Sequence, residues 1–138
     1  MLSIGALSKQ TGVKVSTIRY YEQVGLLNPP IRTQGNQRRY PSDTVERLGF
    51  IRHARELGFS IEAIAALIEL NGSPNSSCAK ASRIAREQLE EVRVKIAGLV
   101  KLESELSRIA NGCGGSGVVS DCYVMASLAD HSQCRSQH

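Results

Sequence analysis

Residues 78–110 contain no proline and a single glycine, Gly98, and their apolar positions repeat on a heptad. Ala85, Leu89, Val92, Ile96, Leu99, Leu106 and Ala110 alternate at spacings of four and three, and Leu102 fills in from the next column where Glu103 breaks the register. This is the pattern of one helix of roughly nine turns with an apolar seam along it. In a chain of 138 residues too little sequence is left over to cover such a seam. The expected cover is the same helix of a second copy, so the pattern predicts a homodimer.

The segments before that helix are short. Ser3 is suited to cap a helix in which Ile4, Leu7 and Ser8 share a face, with Gly12 at its end. Ser16 is placed to cap a second helix, residues 17–24, with Ile18, Tyr21 and Val24 on the buried side and Gly25 as the stop. Two short helices around a glycine-bearing turn form a helix-turn-helix pattern, and Arg19 and Tyr20 fall on the outer face of its second helix. Asn28-Pro29-Pro30 forbids helix, and the turn at residues 33–37 is flanked by Arg32, Arg38, Arg39 and Tyr40, which predicts a hairpin, or wing. A third helix is expected from Ser42 to Leu57 with Val45, Leu48, Phe50, Ile51 and Ala54 as its apolar positions, stopped by Gly58. Ser60 caps a fourth through Ile61, Ile64, Leu67 and Ile68. Asn71-Gly72-Ser73-Pro74-Asn75-Ser76-Ser77 is the clearest linker in the sequence.

Charge divides along the same line. The net charge is +4, yet residues 1–57 hold nine basic groups against four acidic ones, and the remainder eight against nine. A basic front half suits a polyanion, although charge alone is equally met in solvated surfaces. With 41% apolar and 22% charged residues the chain is globular in type, and no apolar run approaches the ~20 residues of a membrane span. The first residues lack the basic flank of a signal peptide, so the expected compartment is the cytoplasm, with no membrane partner. Nothing suggests an enzyme: there is no phosphate-binding glycine loop after a strand and no His-Glu-x-x-His.

All four cysteines, at 78, 113, 122 and 134, lie beyond the linker. In a reducing cytosol they are not expected as structural disulfides. Cys113 and Cys122 bracket a loop with four glycines in the eleven residues 112–122, which lets two soft ligands converge on one ion. Cys78 stands some 50 Å away along the helix rise and cannot join them within one chain. In an antiparallel dimer it can, because the start of one helix lies beside the end of its partner. The Cys-x₈-Cys spacing by itself leaves a metal pair, a redox pair and incidental thiols all open. His131 and Cys134 form a candidate accessory metal site. Residues 123–129 are expected to make two helical turns with Val124 and Leu128 as apolar contacts.

Three blocks then make the chain recognisable: Val-Ser-Thr-Ile-Arg-Tyr-Tyr-Glu-Gln-Val-Gly-Leu-Leu at 15–27, Arg32 with Gly-Asn-Gln-Arg-Arg-Tyr at 35–40, and Phe-Ile-Arg-His-Ala-Arg-Glu-Leu-Gly-Phe-Ser at 50–60. In this order they resemble the MerR family of transcriptional regulators, and the resemblance runs from Leu2 to about Cys122. It implies a mainly α chain: a winged helix-turn-helix DNA-binding domain over residues 1–71, a linker at 72–77, a long antiparallel coiled-coil dimerisation helix at 78–111, and a metal-binding loop, short helix and tail at 112–138. By position, Ser16, Thr17, Arg19 and Tyr20 belong to the DNA-reading helix, while Arg32, Arg38, Arg39 and Tyr40 grip the DNA backbone from the wing. The family resemblance implies a dimer on double-stranded promoter DNA that represses when free. When loaded it distorts the DNA so that RNA polymerase can read both promoter elements.

The same resemblance orders the effectors. Cys78 adds a third thiolate to Cys113 and Cys122, where sensors of monovalent copper or silver usually carry serine. That points to a divalent soft metal. Its spacings look like those of mercury- and lead-responsive members, so Hg²⁺ or Pb²⁺ is favoured, with Cd²⁺ or Zn²⁺ as further candidates. The rival reading is a regulator of the same family answering oxidative stress or an organic ligand, its cysteines a redox switch or bystanders.

Overall fold

The computed structural model describes residues 1–129 and is helical apart from one small hairpin. It comprises two compact units, Met1–Gln88 and a second that begins at Leu89.

In the first unit α1 (Ile4–Thr11) starts where Ser3 accepts the Ala6 N–H at 3.1 Å, and it ends at Gly12, whose φ of +73° suits glycine. The turn is locked by Ser8 donating to the Val13 carbonyl at 2.6 Å and Thr11 to that of Leu7 at 2.8 Å. Next, α2 (Val15–Gln23) begins earlier than Ser16 predicts: Lys14 is its extended N-cap and supplies no side-chain bond. The buried Val13 draws the chain into the core, so the backbone turns helical before Ser16 is reached, and Ser16 lies exposed in the first turn. Ile18 and Tyr21 are buried as expected, but Val24 is 39% exposed. The helix has closed by then, and beyond Gly25 the chain sends Leu26 and Leu27 into the core in its place.

Strands β1 (Ile31–Arg32) and β2 (Arg38–Arg39) pair antiparallel, with Ile31 opposite Arg39 and Arg32 opposite Arg38. Asn36, at φ +62°, makes the tight turn between them, a conformation its short polar side chain tolerates. Leu2 and Tyr40 exchange both backbone hydrogen bonds at 2.8 Å and tie the hairpin to the start of the chain. Helix α3 (Thr44–Glu56) buries Leu48, Ile51 and Ala54. Phe50, read above with them, is 39% exposed, since at ~100° per residue it lies off their stripe. Gly58 stops this helix at φ +86°, and Ser60 opens α4 (Ile61–Asn71) by accepting the Ala63 N–H at 3.0 Å. The core joins all four helices and the wing through Leu7, Ile18, Leu26, Tyr40, Leu48, Ile51 and Ile64, each worth about 1.5–3 kcal/mol when fully buried.

Helix α5 (Ala79–Asn111) has 33 residues. In the first unit its Gln88 amide donates to the Leu57 carbonyl at 2.9 Å, fastening it to the end of α3. In the second unit Leu89, Ile96, Leu99 and Leu106 of the heptad seam stand exposed, Leu99 at 64%. A 3₁₀ turn (Val119–Asp121) and α6 (Tyr123–Ala129) follow the glycine loop. No helix among the described residues is long and apolar enough to cross a membrane.

Candidate nucleic-acid interface and metal centre

The outer face of α2 presents Ser16, Arg19 and Tyr20 to solvent, with Thr17 half-buried beside them. In the wing, Arg32 donates to the Asn36 side chain at 2.9 Å and Arg39 to that of Gln37 at 2.9 Å, while Arg38 is exposed. Among the described residues none of these arginines forms an ion pair with a carboxylate. Arg32 and Arg38 are moreover direct cross-strand partners, and like charges in that register destabilise a hairpin. A two-residue pairing that accepts such repulsion is suited to an anion lying across it.

Tyr40 departs from the expected wing contact. Its side chain is 1% exposed and its hydroxyl donates to the Glu22 carboxylate. Burial, then the hydrogen bond and charge of Glu22, push its pKa up to about 12. The phenol is committed to α2, so Tyr40 sets where the wing stands and does not itself reach outward.

Three other arginines of the basic half also have internal work. Arg47 donates to the Leu26 carbonyl at 3.3 Å, Arg52 to that of Thr11 at 2.6 Å, and Arg55 to that of Phe59 at 2.7 Å. Each satisfies a carbonyl at a turn or helix end, where cations are favoured. Counting charge along the sequence cannot separate these from Arg19, Arg32 and Arg38. Their one signal is placement on α3, a helix whose opposite face is core.

The glycine loop brings its two cysteines together. Cys113 follows α5 directly, its N–H returning to the Ala110 carbonyl, and Cys122 joins the 3₁₀ turn to α6. Their sulfurs are 3.5 Å apart, far beyond the ~2.05 Å of a disulfide. Two thiolates at that separation, each ~2.3 Å from one ion, subtend about 100° at it, within the range of tetrahedral coordination. The pair therefore fits a thiophilic metal. Gly115 and Gly117, at φ +77° and +96°, allow the chain to fold back so tightly. The Cys122 thiol is held below its ordinary pKa, first by the Met125 N–H, then by the Cys113 thiol and the Val124 N–H, with burial opposing. That favours the thiolate, the form that ligates metal.

Among the described residues no third His, Cys, Asp or Glu joins the pair to make a closed site. Cys78 is exposed immediately before α5, at a cavity of about 300 Å³ lined also by Phe50, Leu67, Leu70 and Pro74. His131 and Cys134 lie outside the described residues. Leu128, expected as an apolar contact of α6, is 70% exposed; Tyr123 anchors that helix, packing on Gly112 and accepting a hydrogen bond from Arg108 at 2.7 Å. Sequence reasoning missed Arg108, Gly112 and Tyr123. Their only mark is adjacency: Gly112 precedes Cys113, and Tyr123 follows Cys122.

Comparison with known proteins agrees with this layout. Residues 2–70 match the family model of the MerR HTH family regulatory protein, and residues 45–109 match that of MerR, DNA binding. The chain is 39% identical over 130 residues to the HTH-type transcriptional regulator ZntR of Escherichia coli, covering 93% of this chain and 92% of that protein. It is also 39% identical over 127 residues to the mercuric resistance operon regulatory protein of Shigella flexneri, covering 92% and 87%. Among solved structures it resembles the transcription regulator PbrR691 from Ralstonia metallidurans in complex with lead(II), with a TM-score of 0.81 at 33% identity over 93% of this chain and 99% of that one. A DNA-reading helix with a wing, a long helix with an open seam and this extent of likeness lead to one conclusion: the chain belongs to the MerR family of helix-turn-helix regulatory proteins.

Proposed function

We propose that the protein is a dimeric transcriptional regulator that represses its promoter when free and activates it when a divalent soft metal ion binds Cys113 and Cys122 of one protomer and Cys78 of the partner subunit. The observation that carries this reading is the 3.5 Å approach of two thiols, one with its pKa lowered, in a chain of this family. Likeness to a mercuric resistance regulator and to a lead(II)-bound regulator supports a thiophilic divalent effector. Three thiolates suit Hg²⁺ or Pb²⁺, while Cd²⁺ or Zn²⁺ would draw a fourth donor, for which His131 and Cys134 are candidates.

On DNA, Ser16, Thr17, Arg19 and Tyr20 read the major groove, and Arg32, Arg38 and Arg39 hold phosphates. Tyr40 positions the wing from below. Phosphate contacts fix register, and bending a promoter site costs ~1–6 kcal/mol that contacts on both half-sites offset. RNA polymerase is the partner that reads the distorted promoter.

The test is a titration of the reduced protein with Hg²⁺, Pb²⁺, Cd²⁺ and Zn²⁺, following thiolate charge-transfer absorption together with transcription from its own promoter. The expected result is two ions per dimer and metal-dependent transcription lost in Cys78→Ser, Cys113→Ser and Cys122→Ser, with DNA binding retained. Induction by an oxidant or an organic ligand without bound metal would overturn it.

A further inference from the structure

Beyond Ile64 a single side chain among the described residues is buried, and it is a charged one, Glu105 at 8% exposure. No apolar core lies beneath the cysteine loop. Glu105 accepts from Arg108 Nη2 at 3.1 Å, and Arg108 Nη1 donates to the Tyr123 hydroxyl at 2.7 Å. The Arg108 guanidinium also lies 5.9 Å from the Tyr123 ring centroid. The ring in turn rests on the backbone of Gly112. A Cβ added there would fall 2.0 Å from Tyr123 Cδ1 and 2.3 Å from Cε1. Thus the residue before Cys113 touches the residue after Cys122, and a hydrogen-bonded chain from α5 holds that contact shut.

Removing a carboxylate and a guanidinium from water is costly unless each is paired and bonded. A loop with little apolar cover gains stability from such a network only where a definite geometry results. From this we infer that Arg108 and Tyr123 are positioning residues of the metal site: by clamping Tyr123 onto Gly112 they hold the Cys113 and Cys122 sulfurs at bridging distance before any ion arrives. The inference rests on reading those two cysteines as metal ligands. It adds that the sulfur separation is set by groups that never touch the metal, and that the preference among ions of different size depends on them.

The test uses the full chain with Cys78→Ser and Cys134→Ser, leaving Cys113 and Cys122 as the only thiols. Phenylarsine oxide binds two neighbouring thiols at once, forming two As–S bonds and releasing one water, so its affinity reports their convergence without any metal ion. Tyr123→Phe keeps the ring and removes the acceptor; Arg108→Met removes the donor; Arg108→Lys keeps a cationic donor. The expected result is about tenfold weaker arsenical binding in Tyr123→Phe and Arg108→Met, the scale of an outer-shell partner, with Arg108→Lys between these and the parent. In the natural cysteine background the same variants should shift the Hg²⁺–thiolate charge-transfer band, with helix content by circular dichroism unchanged. Parent-like arsenical affinity in both Tyr123→Phe and Arg108→Met would overturn the clamp. Weakened arsenical binding in a protein whose parent binds none of the four metal ions would instead keep the clamp and remove the metal reading.

Discussion

At the scale of single residues, the structure separates arginines with the same charge into different tasks. Arg52 and Arg55 bond carbonyls and stabilise turns, whereas Arg38 is exposed and faces another arginine across the wing. Arg38→Gln is therefore expected to weaken DNA binding and lower the slope of log affinity against log salt by about 1, while the fold is unharmed or slightly steadier. Fluorescence anisotropy across a salt series, beside urea unfolding, measures both. Tyr40 carries a second expectation, of opposite kind. Its folded pKa of about 12 lies above the ordinary value of 10, so between those values the unfolded chain releases a proton that the folded chain keeps. Stability should be full below pH 10 and decline as pH rises toward 12. Tyr40→Phe should flatten that decline, and should lose about 1–3 kcal/mol at neutral pH because the Glu22 carboxylate is left without its donor. Urea midpoints at several pH values for the two proteins would show it; identical slopes would mean Tyr40 is not the titrating group.

At the scale of elements, what was legible in the sequence had a local cause. Ser3 and Ser60 cap helices because their side chains reach the N–H three residues on, and Gly12 and Gly58 end helices because the chain there turns left-handed. The cysteine loop was legible from its glycines, and the heptad seam from its spacing. What was not legible depended on neighbours distant in sequence. Ser16 has every local qualification for a cap, yet the burial of Val13 starts the helix first. Tyr40 reads as one of a basic, outward-facing run, but it pairs with Leu2 and bonds Glu22. Phe50 and Val24 are apolar without being core. Likewise a Cys-x₈-Cys spacing cannot specify a sulfur separation; the clamp on Gly112 does. The junction of α3 with α5 makes a test at this scale. Gly58 holds φ +86°, and a Cβ there would come within 2.6 Å of the Gln88 amide that bonds Leu57. Gly58→Ala should cost roughly 1–2 kcal/mol from the backbone conformation alone, whereas Gln88→Ala should cost about 0.5–1.5 kcal/mol. Thermal unfolding of the two variants would rank them.

At the scale of the whole molecule, the unit of function is argued to be the dimer, because one chain provides two converging thiols and the third stands before the other end of a 33-residue helix. An exposed seam that includes Ile96 and Leu99 gives the dimer its reason: each such side chain gains about 1.5–3 kcal/mol when a partner covers it. A charge in the seam, as in Leu99→Glu, should lower the dimerisation constant steeply and take the metal response with it, but that result cannot tell a shared site from a merely dimer-dependent one. Mixing two defective proteins can. A Cys78→Ser protomer retains Cys113 and Cys122, and a Cys113→Ser protomer retains Cys78. If the site is shared, their heterodimer holds one complete set of three thiolates and one broken set, although neither homodimer holds a complete one. Co-purified heterodimers, selected through two different tags, should then bind one metal ion with the parent's charge-transfer spectrum, half the parent's stoichiometry. They should also recover induction at the promoter. If all the ligands come from one chain, the heterodimer will do no better than the Cys78→Ser homodimer, and the role proposed for the partner subunit's Cys78 fails.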